Sequence, residues 1–138
     1  MLPAAQPSDR FGAARALGCR CDGCPLGPTS SDPRAPVLPE IRPGARIYLL
    51  GEAPGQNEVD QGMPFVGASG ALLFGLLREV EVYRGDVSVS NVLLCRPHGE
   101  FRGFLRGLSA RNKARRLAGK PEWPSPVECC RPRVRREL

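Results

Sequence analysis

Two groups of residues in this 138-residue chain could do chemistry. The first is a set of six cysteines: Cys19, Cys21, Cys24, Cys95, Cys129 and Cys130. Cys21-Asp22-Gly23-Cys24 is a CxxC whose turn, with Gly23 and then Pro25, lets two thiolates face one site. No secretory h-region precedes it, so the thiols are expected in a reducing, cytoplasmic setting, where clustered cysteines bind metal more often than they form disulfides. Four thiolates suit either tetrahedral zinc or an iron–sulfur cluster, and spacing alone does not separate the two; buried, unligated thiols are the plain alternative. The second group is Gly51-Glu52-Ala53-Pro54-Gly55, followed by Glu58, Phe65 and, further on, Asn91. It is not a phosphate loop, because no Gly-Lys-Ser/Thr closes it, and Gly62, Gly67 and Gly70 do not make a dinucleotide fingerprint.

The elements that must position these residues are legible around them. Arg46-Ile47-Tyr48-Leu49-Leu50 is a short apolar run between glycines and predicts a buried strand. Ser69 is placed to cap a helix whose Leu72, Leu73, Leu76, Leu77 and Val80 follow helical spacing and read as core. Asp86 to Leu94 alternates and then turns apolar, which predicts a second strand, parallel to the first if the helix is a crossover. A β–α–β unit of this kind puts the Gly51 loop and the Asn91–Cys95 segment at one carboxyl edge, where open α/β sheets bind ligands. Residues 98–121 are basic with interspersed Phe and Leu and are expected to be partly helical. Ser125-Pro126-Val127-Glu128 is a helix start with a capping box, and Pro132 is expected to kink that helix.

Composition narrows the class. Sixteen glycines and 15 prolines are too many for a helical bundle and point to a loop-rich α/β protein. No run approaches the ~20 apolar residues of a membrane span. The net charge of +6 is uneven: residues 1–95 hold 8 Lys/Arg and 10 Asp/Glu, and residues 96–138 hold 12 and 4. A block that basic attracts polyanions, nucleic acid foremost, or is a solvated tail.

Taken in order, Cys21-x-x-Cys24-Pro25-Leu26, Gly51-Glu52-Ala53-Pro54-Gly55, Gly62-Met63-Pro64-Phe65-Val66-Gly67, Ser90-Asn91-Val92, Cys95-Arg96-Pro97 and Ser125-Pro126-Val127-Glu128-Cys129-Cys130-Arg131-Pro132 resemble the iron–sulfur (family 4) uracil-DNA glycosylases. The resemblance implies a three-layer, parallel-sheet α/β fold, present here in part, with the family's C-terminal half not represented. It implies a 4Fe–4S cluster on Cys21, Cys24, Cys95 and Cys130, with Cys129 as the fallback for the last and zinc as the alternative occupant. It implies a uracil pocket shaped by Gly51, Ala53, Pro54 and Gly55, with Glu52 helping to orient a water. Phe65 would stack on the extruded base and Asn91 would read its edge; an ordinary core phenylalanine and a backbone-bonded asparagine are the structural alternatives. The implied reaction is hydrolysis of the N-glycosidic bond of deoxyuridine in DNA, by a monomer with no membrane association.

Two departures from the family pattern stand out. The late histidine that helps stabilise the leaving base has no counterpart, since the only histidine, His98, directly follows Cys95-Arg96-Pro97. The stretch from Cys95 to Cys130 is longer than usual, as though a basic insertion occupied about 98–122, carrying Arg102, Arg106, Arg111, Lys113, Arg115 and Arg116. The expected organisation is an N-terminal arm with a proline-rich connector over 1–45 and an incomplete α/β domain over 46–138. A non-catalytic iron–sulfur module that binds nucleic acid is the other function this pattern allows.

Overall fold

The computed structural model describes residues 10–28 and 36–138, so the first nine residues and part of the proline-rich connector, Pro33 included, lie outside the described residues. Helix α1 (Arg10–Ala16) buries Phe11 and Ala14. Strand β1 (Ile47–Gly51) pairs in parallel with β2 (Val87–Asn91), in register from Ile47 opposite Val87 to Gly51 opposite Asn91. Between them run α2 (Gln56–Gln61), α3 (Ala68–Glu79) and a 3-10 turn at Arg84–Asp86. The expected β–α–β unit is therefore present. Helix α4 (Phe101–Leu117) and helix α5 (Pro126–Glu137) come after it. Among the described residues, no helix is long and apolar enough to cross a membrane.

The two strands are buried unequally. Every residue of β2 is buried, whereas Ile47 and Leu50 of β1 are exposed, which corrects the expectation of a buried first strand. The cause is position. Strand β2 has β1 on one edge and the connector on the other, through an antiparallel bridge between Glu40 and Val89 and a 2.8 Å hydrogen bond from the Val37 amide to the Leu94 carbonyl. Strand β1 has a partner on one edge only among the described residues.

Helix α3 also departs from expectation. Leu72, Leu76 and Val80 are 66%, 61% and 67% exposed, so they are surface and not core. They form an i, i+4, i+8 stripe, and the helix turns its other face, with Gly70, Leu73 and Leu77, toward the protein. Its N-cap is Gly67 and not Ser69, which lies inside the first turn. The basic stretch is a full helix of 17 residues. At α5 the capping box forms as expected: Ser125 Oγ accepts from the Val127 amide at 3.3 Å, and Glu128 accepts from the Ser125 amide at 3.2 Å. That helix runs on through Pro132 without a break.

The core gathers beyond the end of β2. Leu93, Leu94 and Cys95 pack with Phe11, Ala14, Cys21 and Leu26 of the N-terminal segment and with Cys130 of α5. Phe101 and Phe104 of α4 close the cluster from a fourth side. A two-stranded sheet alone is marginal in water, so this cluster and the docked connector stabilise it.

Candidate base pocket and thiol cavity

Beyond the carboxyl ends of β1 and β2 lies an open cavity of about 470 Å³, within the range of small-ligand clefts. Gly51, Glu52, Ala53, Gly55, Phe65 and Asn91 line it, so six of the seven residues expected at a pocket meet there. Pro54, the seventh, is buried and absent from the lining. Gln56 and Asn57, which the sequence does not single out, and Ser69, expected only as a helix cap, add polar groups to the wall.

The register of the sheet sets the pocket floor. Gly51 and Asn91 are direct partners across β1 and β2. A Cβ at Gly51 would collide with Asn91 Oδ1 and would lie 2.7 Å from Phe65 Cζ. Only a hydrogen fits where the asparagine and the aromatic ring converge. Asn91 is buried, and its carboxamide has no hydrogen-bond partner among the described residues, although it borders the cavity. It therefore keeps a donor and an acceptor for a ligand edge. Glu52 is exposed at the strand tip, with its carbonyl taken by the Leu93 amide at 3.0 Å.

Phe65 has a positive φ of 56°, a conformation that costs a non-glycine residue on the order of 1–3 kcal/mol and persists only when its surroundings enforce it. Three contacts do so. Arg84 donates to the carbonyls of Pro64 at 2.6 Å and Phe65 at 3.2 Å, while Glu40 accepts from the same guanidinium at 3.2 Å. The nearly buried Glu58 accepts from the amides of Gly55 at 3.0 Å, Val66 at 3.0 Å and Gly67 at 2.7 Å. Gly70 lets α3 lie against the Phe65 backbone, where a Cβ would collide with the Phe65 carbonyl. One carboxylate thus joins the start of α2 to the Phe65 loop, from the Gly55-x-x-Glu58 spacing of a capping box. That spacing is the available signal for Glu58; nothing local marks Arg84.

A second, tightly packed cavity, with free space of only about 20 Å³, is lined by all six cysteines, with Phe11, Leu26, Leu93 and Leu94 among its apolar walls. Cys21, Cys24, Cys95 and Cys130 are thus brought together, and so are Cys129 and Cys19, the latter without an expected role. All six are free thiols. Among the described residues, no three metal-ligating groups meet closely enough to hold a single ion. The CxxC turn closes with the Cys24 amide on the Cys21 carbonyl at 3.2 Å. Gly27 is required beside it, because a Cβ there would strike the Cys21 carbonyl. Cys19 hydrogen-bonds to Cys130 and keeps its own proton. That bond, with the Leu94 amide and the Arg133 charge, holds Cys130 down to about 7 against the opposing effect of burial. Burial pushes Cys24 up to about 12 and raises Cys95 as well.

Arg133 of α5 lines neither cavity and is fully buried. Its guanidinium donates to Ser90 Oγ at 3.0 Å, to the carbonyls of Asn91 at 2.6 Å and Val92 at 3.2 Å, and to Glu137 at 2.6 and 2.7 Å. Tyr48 of β1 donates its hydroxyl to the same Glu137. The sequence holds no signal for this network, since a charged residue on a basic helix reads as solvated.

Comparison with known proteins identifies the family. The family profile described as the Uracil DNA glycosylase superfamily matches residues 38–138. A Type-4 uracil-DNA glycosylase from Pyrobaculum aerophilum is 44% identical over 77 residues, covering 56% of this chain and 38% of the relative. A Type-4 enzyme from Thermotoga maritima is 42% identical over 78 residues, covering 56% and 39%. One from Archaeoglobus fulgidus is 51% identical over 53 residues, covering 38% and 27%. The chain thus spans about two fifths or less of the length of these relatives. The profile match extends across well over half of the chain, which belongs to the Uracil DNA glycosylase superfamily.

Proposed function

We propose that this chain carries the base pocket of a uracil-DNA glycosylase and serves in hydrolysis of the N-glycosidic bond of deoxyuridine in DNA, a base-excision repair reaction. The observation that carries this reading is the convergence of Phe65 and Asn91 on Gly51 at the floor of one open cavity. Phe65 stacks on the extruded base, a contact worth roughly 1–3 kcal/mol in single-strand binders. Asn91 pairs its amide donor with the uracil O4 and its acceptor with N3–H, a pattern that cytosine reverses. In the transition state the sugar gains oxocarbenium character and the leaving base gains negative charge. The Asn91 amide N–H supports that charge. Glu52, exposed at the strand tip, holds and orients the attacking water. Gly51, Ala53, Pro54 and Gly55 shape the wall around the base.

The thiol cavity is read as the seat of a 4Fe–4S cluster held by Cys21, Cys24, Cys95 and Cys130. The donor set supports this: thiols alone, in apolar surroundings, drawn from three distant parts of the chain. Bound there, the cluster supplies a cross-link, tying the arm (1–45) to the sheet edge and to α5 of the remaining α/β unit (46–138). These residues hold it and stand apart from the base pocket.

The test is uracil release from a single-stranded, uracil-containing oligonucleotide by anaerobically purified protein, with the visible spectrum recorded on the same sample. Brown protein that releases uracil is the expected result. Brown protein without release would leave a non-catalytic iron–sulfur module that binds nucleic acid. Protein that stays colourless after iron reconstitution would overturn the cluster.

A further inference from the structure

We infer that the groove between α4 and the segment leading into α5 is a second nucleic-acid surface, which holds a strand by its phosphates whether or not uracil is present. Helix α4 carries six Lys/Arg and no acidic residue. Its Phe101, Phe104, Leu105 and Leu108 turn toward the protein, and Leu117 alone of its large apolar residues is exposed. Arg102, Arg106 and Lys113 stand at i, i+4 and i+11, which places them on one helical face over roughly 16 Å. All three are exposed, and none has an ion-pair partner among the described residues. Beside this face runs an open groove of about 560 Å³, lined by Arg106, Lys113 and Arg116 with Ser109, Asn112 and Ser125. Glu122 also lines it and pairs with Arg116 at 2.9 Å, which leaves Arg106 and Lys113 as its unpaired cations among the described residues.

The groove wall is built and not merely adjacent. Asn112 holds the main chain of Trp123 at both ends, its amide donating to the Trp123 carbonyl at 2.8 Å and its oxygen accepting from the Trp123 N–H at 2.9 Å. Arg115 stacks on the Trp123 ring at 4.4 Å and donates to the Pro121 carbonyl at 2.7 Å. The returning segment is therefore fixed against the helix, and Arg106 and Lys113 beside it face solvent. A positive groove with polar, non-discriminating walls suits a phosphate backbone. A bilayer is the poorer fit, because the helix turns its apolar face inward. The choice of DNA among polyanions rests on the glycosylase reading above.

The protein's single tryptophan, 38% exposed and held by its main chain to the groove residue Asn112, supplies a nearby probe. Holoprotein is titrated with a uracil-free single-stranded oligonucleotide at several salt concentrations, following Trp123 fluorescence and anisotropy of the labelled strand. Quenching with salt-dependent binding is expected. The variant Arg102→Gln/Arg106→Gln/Lys113→Gln should bind about tenfold more weakly or worse, with the log–log salt slope smaller by about 2, the value for three lost phosphate contacts on a single strand. The control Arg46→Gln/Arg78→Gln/Arg135→Gln removes the same charge from exposed sites elsewhere and should keep most of the slope. Equal loss in both variants would reduce the effect to net charge and overturn the inference. So would absence of binding to the uracil-free strand, or binding to phosphatidylserine vesicles in its place. Because no uracil is involved, a protein that binds here but releases no uracil would sink the excision reading and leave this one standing.

Discussion

The guanidinium of Arg133 donates to the main-chain carbonyl of Asn91 at 2.6 Å from a position wholly shielded from solvent. A buried cation thus closes the end of β2 behind the residue whose side chain faces the base pocket. Glu137 neutralises it one helical turn away, at 2.6 Å. Removing one member of a buried pair leaves an uncompensated charge, which typically costs about 3–5 kcal/mol, whereas replacing both is far milder. Arg133→Met should therefore lower the unfolding free energy by about that amount in urea denaturation. Arg133→Met/Glu137→Met should recover most of it. Equal losses in the single and double variants would show that the pair is not coupled.

Gly51 is the position where the smallest change should reach the chemistry. An added methyl would meet Asn91 Oδ1 and the Phe65 ring, both of them movable side chains and not backbone. Fold stability should fall little, but both groups must shift. Displacements on the order of 1 Å at a reacting site can cost about 100-fold in rate. Gly51→Ala should reduce uracil release by roughly that factor with a melting temperature close to that of the parent. Full activity in the variant would show that Asn91 and Phe65 do not act on the base together.

Legibility in the sequence tracks the range of each interaction. The strand pair, the crossover and the α5 capping box come from local patterns, and the residues of the loop after β1 meet where the β–α–β geometry puts them. The stripe of Leu72, Leu76 and Val80 reads as core yet is exposed, because periodicity reports that a helix has faces, not which one is covered. Cys19 carries no local signal, because only the return of α5 beside the CxxC turn brings Cys130 to it. Arg84 and Arg133 act across long sequence separations on main-chain carbonyls, which carry no side-chain identity for a motif to record.

Glu58 gives a sharper test of loop architecture. Its carboxylate is the shared acceptor for three amides on two segments. Glu58→Gln keeps one good acceptor oxygen but puts an NH2 group against amide donors. Each unsatisfied buried donor costs about 1–3 kcal/mol, so the loop should loosen. Proteolysis between Gly51 and Gly67 should accelerate and KM for uracil-containing oligonucleotide should rise. Glu58→Asp, one methylene shorter, should not restore either. Unchanged protease resistance in Glu58→Gln would remove the clamp from the account.

The two adjacent cysteines of α5 can be told apart by colour. Cys130 shares the buried cluster with Cys21 and Cys95, and its sulfur takes the Leu94 amide, while Cys129 pairs with Cys24. On the proposed ligand set, Cys130→Ala should lose most of the visible absorbance and iron content, and Cys129→Ala should keep most of both. The reverse outcome would transfer the fourth ligand to Cys129.

Tyr48 should report the buried network through pH. Burial first, and then its hydrogen bond to Glu137, push the phenol up to about 12. The native state thus holds this proton more tightly than the unfolded chain, whose tyrosine titrates near ~10. The corresponding stability is fully present below pH ~10 and is lost as pH climbs through 10 toward 12. In a Tyr83→Phe background Tyr48 is the only tyrosine, so its phenolate absorbance can be followed directly. The midpoint should lie near 12, and adding Glu137→Gln should bring it down while burial still keeps it above ~10. A midpoint that ignores Glu137→Gln would mean that Tyr48 and Arg133 do not share that carboxylate in solution.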